Sequence, residues 1–303
     1  MEIQNETYPT SSWPIKIVAA WIICLVALAM AGWTGEYFET HFGMTGRFRQ
    51  GIHALVMSGI ALPGIWWLRT RVDLRSMKGL GFQDFRTSLG HFGRGVSLIA
   101  IPMALTILAT LAFGWSQVTV DLNLSGVGAL IAGILTVLFF EAIPEETVFR
   151  GYIYSNLNLV TRRWIASAAT VALFVLLPSI LLPVQKYVLG MNANLGGSPN
   201  LTPDYVILML LFGSFVQYLR VSSGSVWMSI GFHGTFVLMN RVLSPKESAF
   251  IRLTDVVNSQ SIQITLLGSL LVMMIIAIVY PIVQKRGRMA LEYSHNEAIS
   301  PGI

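Results

Sequence analysis

Long apolar runs are the feature that most constrains the fold of this chain. Eight runs each approach about 20 residues, the length at which a helix crosses the hydrocarbon core of a bilayer. Only 12% of the 303 residues are charged, whereas soluble domains contain about 25% charged residues. We therefore predict an all-α fold, a polytopic membrane bundle of about eight transmembrane helices. The predicted spans are 15–33, 51–68, 96–115, 126–149, 164–184, 205–221, 226–243 and 262–283.

The positions of the basic residues predict how this bundle is oriented. Lys and Arg are concentrated on the side of the two termini, with six of them between residues 69 and 94. Because cytoplasmic loops of membrane proteins are enriched in Lys and Arg, we expect a multi-pass cell-membrane protein with both termini in the cytoplasm. The net charge of +5 comes from loops beside the spans. Anionic lipid headgroups, and no nucleic acid, are therefore the expected partners of these loops.

Individual residues restrict the fold further. Cys24 is the single cysteine, so an intramolecular disulfide and a paired-cysteine zinc site are both excluded. Gly126, Gly128 and Gly133 predict close helix packing near the start of the fourth span. Pro144 is expected to interrupt that span.

The fourth span ends in an unusually polar run. Residues 141–154 read EAIPEETVFRGYIY, and the adjacent Glu145 and Glu146 are followed by Arg150. Ionisable groups at membrane depth are costly and mark functional sites by default. On a helix, Glu146 can pair with Arg150 four residues later, while Glu145 faces neighbouring helices. His233 in the seventh span is expected at a similar depth, in the cytoplasmic half of the bundle.

These residue types suit the hydrolysis of an amide bond. A carboxylate can take a proton from water and later return it. A histidine across the cavity can orient that water, stabilise an oxyanion or ligate a metal. Structural roles compete with these functions: Glu146 and Arg150 can form an ion pair only, Glu141 can be a polar cavity residue, and His233 can be a hydrogen-bonded structural residue. An ion-coupled transporter also needs intramembrane acids, but the sequence shows no inverted repeat.

Two motifs resemble those of a known family. Residues 145–152, EETVFRGY, resemble the E-E-x-x-x-R motif of the CAAX-protease and bacteriocin-processing family, which are intramembrane proteases related to the Ras-converting CAAX endopeptidases. Residues 225–233, SVWMSIGFH, resemble the later histidine motif of that family. The resemblance implies a protease-like core of helices four to seven at 126–243. Helices one to three and the basic cytoplasmic loop occupy 1–125, and the last helix and a cytoplasmic tail occupy 244–303.

The resemblance also implies roles for four catalytic residues. Glu145 corresponds to the glutamate that activates the attacking water. Glu146 and Arg150 correspond to a supporting pair, and His233 corresponds to the later histidine, which positions water or stabilises the oxyanion. The implied substrate is a membrane-anchored peptide or protein.

Two positions depart from the pattern of this family. Its middle motif is F-x-x-x-H, but here Phe174 is followed at that spacing by Pro178. The later histidine is often followed after four residues by asparagine, and here that position is Val237. Asn240 lies on the same helical face as His233, about one turn beyond Val237.

These departures leave two functional hypotheses. With only one of the two expected histidines, no cofactor is expected, and a histidine-ligated divalent metal is disfavoured. The first hypothesis is an intramembrane endopeptidase of the CAAX and bacteriocin-processing type, in which a glutamate-activated water attacks a peptide bond. The alternative is a catalytically inactive relative that acts as a membrane binding partner or a bacteriocin-immunity factor, which is motivated by Pro178.

Overall fold

The structure is a predominantly helical membrane-type bundle. It is a computed structural model that describes residues 12–120, 124–194, 200–243 and 251–255, together with position 275. The α-helices are α1 (Trp13–Phe42), α2 (Arg47–Trp67), α3 (Phe85–Ala112), α4 (Leu124–Thr136), α5 (Ile143–Glu146), α6 (Tyr154–Val160), α7 (Arg163–Pro183), α8 (Pro203–Ser223) and α9 (Val226–Leu243). The two strands are β1 (Ser116–Val120) and β2 (Ile251–Asp255).

Six helices in the described part of the chain are long and apolar enough to cross a membrane. They confirm a multi-pass, all-α membrane fold at the first six predicted spans. The predicted seventh span has the same ends as α9, but this 18-residue helix is not one of the six. The predicted eighth span, 262–283, lies outside the described residues except for position 275.

The third span begins earlier than its apolar run. We predicted a start at residue 96 after a basic loop, whereas α3 begins at Phe85. Asp84 stabilises this earlier start, because its carboxylate accepts a hydrogen bond of 3.1 Å from the backbone N–H of Thr87. Between α2 and α3, the chain forms a π-helical turn at Leu68–Val72 and a 3₁₀ helix at Met77–Leu80.

Pro144 does not break the fourth span, contrary to the prediction. Helical structure is continuous from α4 to α6, and π-helical segments at Val137–Ala142 and Thr147–Ile153 flank α5. A proline removes one backbone donor from a helix, and the wider π turn rearranges the neighbouring hydrogen bonds. The N–H of Ile143 bonds to the carbonyl of Leu138, and the carbonyl of Phe139 accepts the hydroxyl of Ser58 on α2. Such π segments often occur at functional sites.

Two compact units divide the chain. The first consists of residues up to Ser97 and from Asp121 to Phe250, and it contains all the candidate site residues. The second consists of Leu98–Val120 and the residues from Ile251 onward. In the second unit, β1 pairs with β2 in antiparallel register, with Ser116 opposite Asp255 and Val120 opposite Ile251. The sequence did not predict this strand pair, and the three-part division at residues 125 and 243 stays a prediction.

Glycines allow the backbones of α3 and α9 to approach closely in the first unit. A Cβ atom built on Gly95 would lie 2.2 Å from the carbonyl oxygen of Met228. A Cβ atom on Gly231 would lie 2.3 Å from the carbonyl oxygen of Phe92. Small residues permit this kind of helix contact in membranes. The close approach fixes the position of α9, which carries His233.

Two of the three glycines that we predicted to pack closely behave differently. Cβ atoms on Gly128 and Gly133 would have their nearest neighbours at 3.9 Å and 4.0 Å. Those separations are ordinary van der Waals distances, so these two glycines are not required for close helix contact.

Candidate active site

The carboxylate of Glu146 binds two partners at once. Its Oε1 atom accepts a hydrogen bond of 3.1 Å from Nη1 of Arg150 and lies 2.8 Å from Nδ1 of His233. Glu146 and Arg150 are fully buried, and His233 is 4% exposed. Glu146 ends α5, Arg150 lies in the following π-helical segment, and His233 lies on α9. The structure therefore brings together three of the four residues that we predicted for the site.

The positive charge of the buried Arg150 guanidinium has several partners. Its Nη2 atom donates a hydrogen bond of 3.1 Å to the carbonyl of Gly213 on α8. The guanidinium also lies over the ring of Phe174, 4.2 Å from the ring centroid, where the face of the ring attracts a cation. A buried charge is tolerated only with such partners. Arg150 thus connects the π-helical segment Thr147–Ile153 to α7 and α8.

The imidazole of His233 is held in a defined orientation. An ionised carboxylate only accepts hydrogen bonds, so the ring donates from Nδ1 to Glu146. The ring of Phe212 packs edge-on against the imidazole, with centroids 4.9 Å apart. The Nε2 atom makes no hydrogen bond with the described residues. That nitrogen can therefore bind a water molecule or a substrate atom.

Glu145 differs from its neighbour Glu146. It is partly buried, and it makes no hydrogen bond or ion pair with the part of the chain that the structure describes. Successive residues of a helix point about 100° apart, so the two carboxylates face different neighbours. The structure shows no direct bond between Glu145 and His233. Its role as the base stays a prediction.

The other polar residues considered for the site have structural partners. Glu141 forms an ion pair with Arg241, which joins the π-helical segment before α5 to α9. Asn240 donates a hydrogen bond of 2.9 Å to the carbonyl of Phe236 in its own helix. This hydrogen bond lies within α9, and no hydrogen bond joins Asn240 to Glu145, Glu146, Arg150 or His233.

The middle motif contributes an apolar surface to the site. Phe174 packs against Arg150, and its ring also meets Phe149 edge-on, with centroids 5.2 Å apart. Pro178 is buried one turn later on α7. A proline side chain offers no hydrogen-bonding group, so no polar atom replaces the expected histidine there.

The described residues contain no cluster of side chains suited to a metal ion. Catalytic zinc uses three protein ligands from His, Cys, Asp or Glu. No group of three such residues in the described ranges is arranged to hold a metal ion. His233 directs Nδ1 to Glu146. The expectation that no histidine-ligated metal is bound stays a prediction.

Arg220 is a residue of the site region that the sequence analysis missed. It is 8% exposed on α8. Its Nε atom donates a hydrogen bond of 2.9 Å to the carbonyl of Arg150, and Nη2 donates one of 3.3 Å to the carbonyl of Leu80. Its place inside the predicted span 205–221 was the available signal for a buried role.

We expect Arg220→Met to reduce the free energy of unfolding by about 2 kcal/mol, because two buried carbonyl groups lose their donor. The matched control is Arg163→Met. Arg163 also donates to a backbone carbonyl, that of Val221, but at the protein surface. Its replacement is expected to cost less than about 0.5 kcal/mol. Unfolding of the purified variants by sodium dodecyl sulfate in mixed micelles measures both, and equal losses would contradict a structural role for Arg220.

An apolar groove lies beside the helical stretch that ends in α5. Its volume is about 1000 Å³, and it runs between α2 and the residues from Ala132 to Thr147. Its lining is formed mainly by aliphatic and aromatic side chains, including Leu55, Trp66 and Phe139. None of Glu145, Glu146, Arg150 and His233 lines this groove.

Comparison with known proteins finds a family similarity for the segment that contains this site. Residues 127–239 match a protein-family model described as type II CAAX prenyl endopeptidase Rce1-like. Searches of curated proteins and of solved structures found no match. The matched residues include Glu145, Glu146, Arg150 and His233. The match agrees with the family predicted from the two motifs: residues 127–239 of this membrane protein are similar to the Rce1-like CAAX prenyl endopeptidases.

Proposed function

We propose that this protein is an intramembrane endopeptidase in which Glu145 activates a water molecule for attack on a peptide bond. The observation that carries the proposal is the arrangement around Glu146. Arg150 and His233 both bind its Oε1 atom, whereas Glu145 beside it has no bonded partner in the described structure. Glu146 is therefore committed to holding the site together, and Glu145 is available for proton transfer.

The proposed reaction uses two protein groups in sequence. Glu145 takes a proton from water, and the resulting hydroxide attacks the peptide carbonyl to form a tetrahedral oxyanion. His233 keeps one protonation state throughout: as a neutral imidazole its Nε2 accepts a hydrogen bond from the attacking water, and as an imidazolium already protonated before the attack its Nε2 donates one to the oxyanion. The protonated Glu145 then returns its proton to the leaving amine. Arg150 and Glu146 keep the imidazole oriented during these steps.

The proposed substrate is a membrane-anchored peptide or protein. The family match to CAAX prenyl endopeptidases supports this class, and the six apolar helices place the protein in the membrane that such a substrate occupies. We also propose that anionic lipids contact the basic loop and the termini on the cytoplasmic side. The proposed active site lies in the same half of the bundle.

The test is cleavage of membrane-anchored peptides, with and without a prenyl group, by the full chain in liposomes. We expect Glu145→Gln to reduce the cleavage rate about 100-fold, since loss of a general base typically costs that much. The matched control is Glu141→Gln, the same change one turn earlier on the helix. Its cleavage rate is expected to stay within about twofold of wild type, because the ion pair that it removes contributes little to stability. Cleavage that survives Glu145→Gln would overturn the assignment of the base.

Pro178 supports a second candidate, an inactive relative that binds a membrane partner or confers bacteriocin immunity. A buried proline occupies the position where the family pattern has a polar ligand. This candidate predicts no cleavage of any peptide by wild-type protein. It also predicts that Glu145→Gln preserves the cellular phenotype, whereas a change that displaces α9 abolishes it.

A further inference from the structure

The apolar groove beside α2 extends along most of the membrane-spanning length of two helical stretches. Residues between 51 and 66 on α2 line one wall, and residues between 132 and 147 line the other. The hydroxyl of Ser58 donates to the carbonyl of Phe139 across the floor between these walls. Each wall is about 22 Å long at a helical rise of ~1.5 Å per residue. One leaflet supplies only about 15 Å, half of the hydrocarbon core, so an acyl chain held in one leaflet is too short to fill the groove.

Small side chains keep the groove open. A Cβ atom built on Gly51 or on Gly59 has no neighbour within 4 Å, so the space beside these two glycines is free. Small residues let the backbones of membrane helices approach closely. The groove therefore has a surface on which a further transmembrane helix can pack. The other small residues of its lining are Ala54, Ser58, Ala132 and Thr136.

A buried hydroxyl without a partner lies at one end of the groove. Thr147 is 1% exposed and lines the groove, and its Oγ1 atom makes no hydrogen bond with the residues that the structure describes. Buried polar groups are nearly always hydrogen-bonded, so this one calls for an explanation. The last four carbonyl groups of a helix have no partner within that helix. A helix that ended beside Thr147 would therefore supply the acceptor that this hydroxyl lacks.

We propose that the groove docks the transmembrane helix of a protein substrate, with the carboxyl end of that helix at Thr147. The role as substrate rests on the proposed protease function, whereas the docking does not. The helix that fits carries Gly or Ala at every fourth position on the face that enters the groove. An extended chain advances about 3.3–3.6 Å per residue. About four residues beyond the docked helix are thus enough to pass around a helix of ~10–12 Å diameter to Glu145.

The test measures binding of a synthetic single-span peptide to the full chain in liposomes. The probe is a leucine helix of about 20 residues with glycine at every fourth position and a dansyl group at its carboxyl end. Energy transfer from the protein tryptophans, among them Trp66 in the groove lining, reports binding. The control peptide has leucine at every position. We expect saturable transfer with the glycine-containing peptide and at least about tenfold weaker binding of the control peptide.

Gly59→Leu fills the groove with a side chain of the protein itself. We expect this variant to bind the glycine-containing peptide at least about tenfold more weakly than wild type. The matched control is Gly93→Leu, which adds the same side chain to α3 at a glycine whose Cβ atom also has no neighbour within 4 Å. Its binding is expected to equal that of wild type. Thermal unfolding of both variants checks that each retains the fold.

Thr147→Val tests the polar end of the groove with a side chain of nearly the same shape. The loss of one hydrogen bond should weaken binding about fivefold. The melting temperature of the unbound protein should not fall, because this hydroxyl has no partner to lose among the described residues. A lower melting temperature with unchanged binding would show that the hydroxyl is structural and would contradict its role in docking.

Three results would overturn the proposal: no saturable transfer, equal transfer with the all-leucine peptide, or equal losses in Gly59→Leu and Gly93→Leu. A prenylated peptide without a helix tests the competing occupant. If Gly59→Leu weakened its binding and not that of the helix, the groove would hold a lipid chain instead. Cleavage of peptides without helix binding would overturn this inference alone. Helix binding without cleavage of any peptide would support the docking site and contradict the protease function alone.

Discussion

Replacing Arg150 with methionine is expected to lower the free energy of unfolding by about 3–5 kcal/mol, the cost of leaving one partner of a buried ion pair alone. Glu146 would keep only His233 as a partner at its buried Oε1 atom. The carbonyl of Gly213 would lose its donor, and Phe174 would lose the cation above its ring. Small domains are stable by only about 5–15 kcal/mol, so this single change removes a large fraction of the total.

A double variant identifies the cause of this loss of unfolding free energy. In the double variant Glu146→Gln/Arg150→Met, no unpaired charge stays buried, and we expect recovery of at least about 1–2 kcal/mol. Arg49→Met is the matched control, because Arg49 pairs with Glu39 where both side chains are more than a third exposed. It should cost less than about 1 kcal/mol. Unfolding in mixed micelles measures all three, and an additive double variant would contradict the proposed coupling.

Gly95→Ala is expected to be the second most damaging single change, at about 3 kcal/mol. Its Cβ atom would lie 2.2 Å from the carbonyl oxygen of Met228 and 2.8 Å from the backbone nitrogen of Phe232. Backbone atoms cannot move aside as a flexible side chain can, so α3 and α9 must separate. Because α9 carries His233, we also expect the rate of peptide cleavage to fall.

Gly93→Ala is the matched control for this prediction. Gly93 is on the same helix, and a Cβ atom there has no neighbour within 4 Å. Alanine favours helix by up to about 1 kcal/mol over glycine, so this variant should be unchanged or slightly more stable. Thermal unfolding in detergent, followed by tryptophan fluorescence, distinguishes the two. A melting temperature for Gly95→Ala that equals that of Gly93→Ala would contradict the close contact of α3 with α9.

The apolar runs predicted the membrane helices because each run follows directly from local composition. The ends of α9 were predicted correctly even though polar residues lower its hydropathy. The start of α3 and the continuity through Pro144 were predicted wrongly. Both depend on particular hydrogen bonds, from Thr87 to Asp84 and from Ser58 to Phe139. Hydropathy does not report such bonds.

The site residues were found by their motifs, but their contacts were not. The sequence placed Glu146 with Arg150 through their helical spacing, and the structure contains that pair. It did not indicate that His233 binds Glu146, because the rotation of α9 about its own axis depends on packing against other helices. The same argument applies to Arg220, whose two acceptors lie 70 and 140 residues away along the chain. The same argument applies to the glycines, because only some of them lie against the backbone of a neighbouring helix.

The contacts of Arg220 and Gly231 bear on how much of the chain is needed to form the candidate site. The carbonyl of Leu80 that Arg220 binds and the backbone of Phe92 that touches Gly231 both precede the family-matched segment, 127–239. A fragment trimmed to that segment would retain Glu145, Glu146, Arg150 and His233. It would nevertheless lack one acceptor of a buried cation and the helix against which α9 is packed. The segment that carries the family's sequence signature is therefore smaller than the unit that can fold and hold the site in shape.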